Sequence, residues 1–218
     1  MIRTLAAAVF VSCVVASLGG CAGAHSIGAS ASDRARISSA RINPTVEITP
    51  KPFYQGREQS FAFVGGAVGA VVAGQAAAGA VDAQTAIVTA MRNQQVDIGD
   101  IVRAEFARAA EAGTPMQFTT DTASPVDVVV SLKVDVWGLG QTQGFSATLF
   151  PTFGVSATLR RTDGAVVWQK YEYVTPLNKE NGEGHTLEEY LANPELLRKV
   201  FTSASGIVSR MLVADYRG

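Results

Sequence analysis

The spacing of apolar positions changes along the chain, and each change marks an element. The clearest run is Val126 to Trp137. There Val128, Val130, Leu132, Val134 and Val136 fall on one face, and Asp127, Ser131, Lys133 and Asp135 on the other. That period of two predicts a strand with one buried and one solvated side. Gly138 to Gly144 reads as a loop. A second strand is predicted over Phe153 to Arg161, with Phe153, Val155, Ala157 and Leu159 on one face. Thr162-Asp163-Gly164 is a turn signal, and Ala165 to Val174 returns as a third strand. Helical spacing appears in Ile98, Ile101, Val102, Phe106 and Ala109, with Asp97 as N-cap and Gly113 before Thr114-Pro115 as the stop. Thr186-Leu187-Glu188-Glu189 is a capping box, and Asn193 can cap a further helix with Pro194 at its first position. In that helix Leu197, Val200, Phe201, Ala204, Ile207, Val208, Met211 and Leu212 form the strongest apolar stripe of the chain. The expected fold class is α+β: a three- or four-stranded antiparallel sheet with helices on one face. Val130, Leu132, Val134, Phe201 and Met211 should be among the least exposed side chains.

The N-terminal half is patterned differently. Ile42 to Tyr54 alternates weakly and holds Pro44, Pro50 and Pro52, which restrict it to an edge or to extended packing. Phe61 to Val81 carries no charge and is rich in Gly and Ala. As a helix these residues would extend ~32 Å, about one hydrocarbon thickness. Gly65, Gly69 and Gly74 place small residues at helix-packing spacing, where another backbone can approach closely. Three readings stay open for this segment: packing against its own domain, a glycine zipper self-associating in or on the membrane, and a Gly/Ala spacer. From Asp82 the chain turns polar, but Ala86, Ile87, Ala90 and Met91 keep helical spacing to about Gln94.

At the N-terminus, Leu5 to Leu18 holds no charge and follows Arg3. The run matches the apolar region of a secretory signal peptide and is too short to span a bilayer. It closes on Leu18-Gly19-Gly20-Cys21, which resembles the lipobox of bacterial lipoproteins. The resemblance implies removal of residues 1–20 and lipidation of Cys21. It also implies attachment to the outer membrane on its periplasmic side, since Ala22 and not Asp follows the cysteine. Residues 21–41 then read as a flexible tether, 42–95 as an extended and Gly/Ala-rich segment, and 96–218 as the periplasmic α+β domain. This order is similar to that of uncharacterised envelope lipoproteins with a Gly/Ala-rich segment. The helix–strands–helix half also resembles auxiliary lipoproteins of envelope transport systems. Both resemblances imply an interaction module, its partner an unknown envelope protein or a second copy of itself.

Composition narrows the function classes. Without residues 1–20 the chain keeps 198 of its 218 residues, with 17 basic against 19 acidic side chains once Arg3 is gone. No Lys/Arg cluster marks a basic groove, so no nucleic-acid partner is expected. Cys13 would leave with the signal peptide and Cys21 would carry lipid, so no internal disulfide is possible. His25 and His185 have no metal-ligand spacing around them. Gly154-Val155-Ser156-Ala157-Thr158 lacks the second glycine of a nucleophile elbow. Gly138-Leu139-Gly140 with Gly144 follows a strand but precedes no helix, so it cannot aim a helix N-terminus at phosphate. No catalytic residue, cofactor or metal is expected. The leading reading is a non-enzymatic, lipid-anchored outer-membrane lipoprotein acting as a structural or adaptor component. The alternatives are a glycine-zipper oligomer that remodels the membrane and, third, a hydrolase or carrier of an apolar ligand.

Overall fold

The structure, a computed structural model, describes residues 26–56, 67–119, 121–142 and 146–218, and side chains of 67–77 and 194 lie outside that description. The elements in chain order are α1 (Ala31–Arg36), β1 (Ser39–Ile42), β2 (Glu47–Ile48), β3 (Phe53–Gln55), α2 (Ala67–Asn93), α3 (Ile98–Gly113), β4 (Gln117–Thr119), β5 (Val128–Gln141), β6 (Leu149–Arg161), β7 (Val166–Val174), α4 (Leu187–Ala192) and α5 (Pro194–Arg217).

The sheet is mixed and seven-stranded, which corrects the expected antiparallel sheet of three or four strands. Its order is β4-β1-β5-β6-β7, with β2 and β3 also on β5. The β5–β6–β7 meander is antiparallel as the alternation predicts. The parallel part comes from the proline-containing stretch. Ala40 pairs with Val128, Ile48 with Val134 and Phe53 with Gly138, so β1, β2 and β3 form one interrupted strand running beside β5. Pro44, Pro50 and Pro52 stand in its gaps, where a missing N–H breaks no ladder bond. Parallel pairing needs a long crossover, here through α2 and α3, so no short turn announces it.

The stretch read as a tether holds α1 and β1. Ser30 caps α1, its side chain accepting from the Asp33 N–H. Ser38 and Ser39 then pin β1 to the head of β5: both backbone N–H groups and both hydroxyls donate to one oxygen of Asp127, at 2.8–3.0 Å. Those bonds, the Ser38 N–H first, hold the Asp127 carboxyl at about 2 against an ordinary 3.8. A depressed folded-state pKa stabilises above the unfolded value and is lost on acidification. Stability from Asp127 should therefore be intact above about pH 4 and fade towards pH 2. Asp127→Asn should melt below wild type at pH 7, and the gap between the two melting temperatures should close by pH 2.

A β-bulge shapes the core. The β5–β6 register shifts between Val134 and Val136, so Asp135 takes the extra place. Val128, Val130, Leu132 and Val134 face inward as predicted. Beyond the bulge the phase flips, so Trp137 and Leu139 are buried and Val136 is only half-buried. The strand also runs on through Gly138 and Gly140, which the sequence pattern places in a loop. The inner face packs against α3 and α5 through Val102, Phe106, Leu197, Phe201, Ala204, Val208 and Leu212. Met211 is only partly buried, because Leu212 and Val213 take the inward positions. Asp215 ties α5 to β7, accepting from Trp168 Nε1 at 3.0 Å and Lys170 Nζ at 2.8 Å. The caps at Asp97, Thr186 and Asn193 all form as read.

Candidate functional site

Cys21, Ala22, His25 and Gly65 lie outside the described residues. The described chain begins at Ser26, just ahead of the domain. Ile27 forms an antiparallel bridge with Gln169 on β7. Its N–H donates to the Gln169 carbonyl at 2.8 Å and its carbonyl accepts from the Gln169 N–H at 2.9 Å. Ile27 is six residue steps from Cys21, a reach of about 20 Å at full extension. That is far shorter than the reach of a 21-residue tether.

Gly69 and Gly74 lie on α2. The second half of that helix docks in the domain: Ala83, Ile87 and Met91, one turn apart each, are buried. Among the described residues no helix is long and apolar enough to cross a membrane.

Two open surfaces carry chemistry. The first is a groove of about 400 Å³ between α3 and α5. Ala109, Ala112, Gly113, Val213 and Ala214 make it apolar, and Arg108, Arg210 and Arg217 line it with charge. Glu105 is buried in it and accepts a hydrogen bond from Arg108 Nη1 at 2.5 Å. A buried carboxylate left without such a partner would be costly. Sequence reading passes over Glu105, although it falls one turn from Ile101 and Val102 on the stripe that packs inward. Gly206 is the neighbour that leaves it room: a Cβ there would sit 3.1 Å from Glu105 Oε2.

The second surface is the outward face of the sheet. Its middle is polar: Ser131, Lys133, Asp135, Ser156, Thr158 and Gln169 line one shallow hollow. Ser156 Oγ donates to Asp135, and Lys133 Nζ lies 3.1 Å from the same carboxylate. Tyr171 stacks on Tyr173, ring centroids 5.7 Å apart and planes within 17°. Burial, with the Asp135 charge behind it, pushes the Tyr171 hydroxyl above its ordinary value.

His185 is placed by structure on every side. Its backbone pairs with Leu149, its ring meets Tyr190 edge-on at 5.4 Å, and Nδ1 lies 3.9 Å from Glu189. Glu189 itself serves the capping box, and its bonds from the Thr186 N–H and hydroxyl lower its pKa. Among the described residues no three His, Cys, Asp or Glu side chains group as metal ligands would.

No protein-family model and no curated protein matches the chain. Two solved structures share part of its shape. Protein XCC0632 from Xanthomonas campestris, a DUF330 protein, aligns with a TM-score of 0.37 and 18% identity over 53% of this chain. The chain spans 58% of that protein's length. A PelC dodecamer from Paraburkholderia phytofirmans, carrying a single substitution, aligns with a TM-score of 0.31 and 20% identity, over 52% of this chain and 72% of that one. Both scores lie below those of a shared fold.

Proposed function

We propose that this chain is a non-enzymatic lipoprotein, anchored through lipid on Cys21 to the periplasmic side of the outer membrane and acting there as a structural or adaptor component. The observation that carries the reading is Leu18-Gly19-Gly20-Cys21 at the end of an uncharged run, with a folded domain beginning at Ile27. The surfaces left open support it. A groove of small residues lined by arginines, and a sheet face bearing stacked tyrosines and paired charges, suit docking better than bond-breaking. The partner on those surfaces is another protein of the envelope or a second copy of the chain.

The anchor is directly testable. One acyl chain holds a protein to a bilayer only marginally, at ~0.8 kcal/mol per buried methylene, whereas two or more make release negligible. Cys21→Ala should therefore leave the protein either uncut or free in the periplasm, with no acyl mass. Wild type should sediment with membranes and carry that mass. An unchanged mass and unchanged fractionation in the variant would refute lipidation.

A further inference from the structure

We propose that the domain rests on the lipid surface through one end of its sheet, the end that carries Phe53, Tyr173, Pro176 and Leu177. The inference builds on lipidation at Cys21 and adds an orientation to it.

The first ground is the direction of the chain. The Ile27–Gln169 bridge is antiparallel, so the residues ahead of Ile27 arrive from the Val174 end of β7. Gln169 to Val174 spans about 17 Å of strand, within the reach of the six residue steps from Ile27 to Cys21. The chain thus enters Ile27 from the Val174 side, and the end of β7 lies within reach of an acyl group on Cys21.

The second ground is independent of the anchor. Among the described residues five large hydrophobics are exposed; Ile27 and Val81 stand elsewhere, while Phe53, Tyr173 at 54% and Leu177 at 77% fall together. Those three belong to two chain segments, β3 and the end of β7 with the loop after it, that register gathers at one end. Phe53 pairs with Gly138, Gly138 with Thr152, and the next residue of β6, Phe153, with Val174. Phe53 and Pro176 are neighbours: a Cβ on Gly140 would meet the Phe53 ring at 3.1 Å and the Pro176 ring at 3.2 Å. Leu177 follows Pro176 at the tip of the loop, and Tyr173 stands beside them on Tyr171. The opposite end of the same strands is polar and exposed, at Arg160, Thr162, Asp163 and Gly164.

The chemistry selects lipid as the occupant. Tyrosine, with an apolar ring and a polar tip, favours the membrane–water boundary. Scattered exposed apolar residues need no explanation, but a cluster of them beside a lipid attachment point does. The flanking charges balance, Lys51 and Lys179 against Glu180 and Glu183. The contact is therefore apolar, and it should form on zwitterionic bilayers and survive salt.

The experiment uses the acylated full chain, whose processed form has no cysteine besides Cys21. Leu177→Cys and, separately, Asp163→Cys are labelled with a polarity-sensitive dye and floated with phosphatidylcholine vesicles. The label at 177 should shift to the blue and be quenched several-fold less by aqueous iodide once vesicles are present, while the label at 163 should not change. Equal quenching at both positions, on protein that carries the acyl mass and floats, overturns the orientation and leaves the anchor standing. Shielding at 177 that is already complete without vesicles assigns the patch to a second copy of the chain and overturns the lipid contact. Absence of both acyl mass and flotation overturns anchor and orientation together.

Discussion

Phe201→Ala should cost about 3–5 kcal/mol, the usual loss for a fully buried aromatic truncated to alanine. Phe201 has no exposed surface and stands where α5 crosses the sheet. Its ring meets Trp137 edge-on at 6.0 Å and Phe153 at 6.1 Å. These three residues come from α5, β5 and β6, so the cavity left by truncation would open between layers and not within one element. The loss would be a large part of the ~5–15 kcal/mol that holds a domain together. In thermal or urea melts the variant should either lose its transition or show it far below wild type. A midpoint within a degree or two of wild type would mean that α5 is not docked on the sheet.

Gly138→Ala should do comparable damage by a different route. Gly138 has φ +148°, a backbone conformation that side-chain-bearing residues rarely adopt, and the strain of placing one there is on the order of 1–3 kcal/mol. A Cβ at this position would also collide with the backbone of Phe53, its carbonyl oxygen nearest. Backbone cannot rotate aside as a side chain can, and overpacking of this kind adds about 1–3 kcal/mol. The consequence is local before it is global. β3 should leave β5, and the amides of Phe53, Tyr54 and Gln55 should exchange with solvent much faster than in wild type. The two variants are distinguishable by that measurement: Phe201→Ala should loosen the core first, and Gly138→Ala the β3 ladder. Because Phe53 belongs to the proposed lipid-facing end, Gly138→Ala should also weaken that contact while leaving Leu177 in place.

The same two residues show how differently the fold is legible. Phe201 can be read from the chain alone, because a buried helix face repeats every three or four residues and Leu197, Phe201, Ala204 and Val208 keep that step. The caps at Asp97, Thr186 and Asn193, the turn at Thr162-Asp163-Gly164 and the β6–β7 meander are local in the same sense. Each is decided by side chains within a few positions of one another. The stretch Leu18–Cys21, which resembles a lipobox, is likewise a local pattern.

Gly138 cannot be read in that way, and the sequence pattern puts it in a loop. Its partner is Phe53, 85 positions earlier, and a parallel pairing closed by helices leaves no turn signature between the two strands. That is why the proline-containing stretch of residues 42–54 reads as loose extended chain, and why the expected sheet is smaller and wholly antiparallel. The bulge at Asp135 is a second such case. One residue leaves the ladder, every later side chain changes face, and Trp137 turns inward where strict alternation puts Val136. Alternation along a sequence records which residues want burial, whereas register against a distant strand decides which of them reach it. Local chemistry alone set the caps, the turn, the helix faces, the face of β5 ahead of its bulge and the pattern at Cys21. Packing between remote segments decided the parallel strands and the buried Glu105 between α3 and α5. It also brought Phe53, Tyr173 and Leu177 to one end of the sheet, because those relations depend on the path of the whole chain in space.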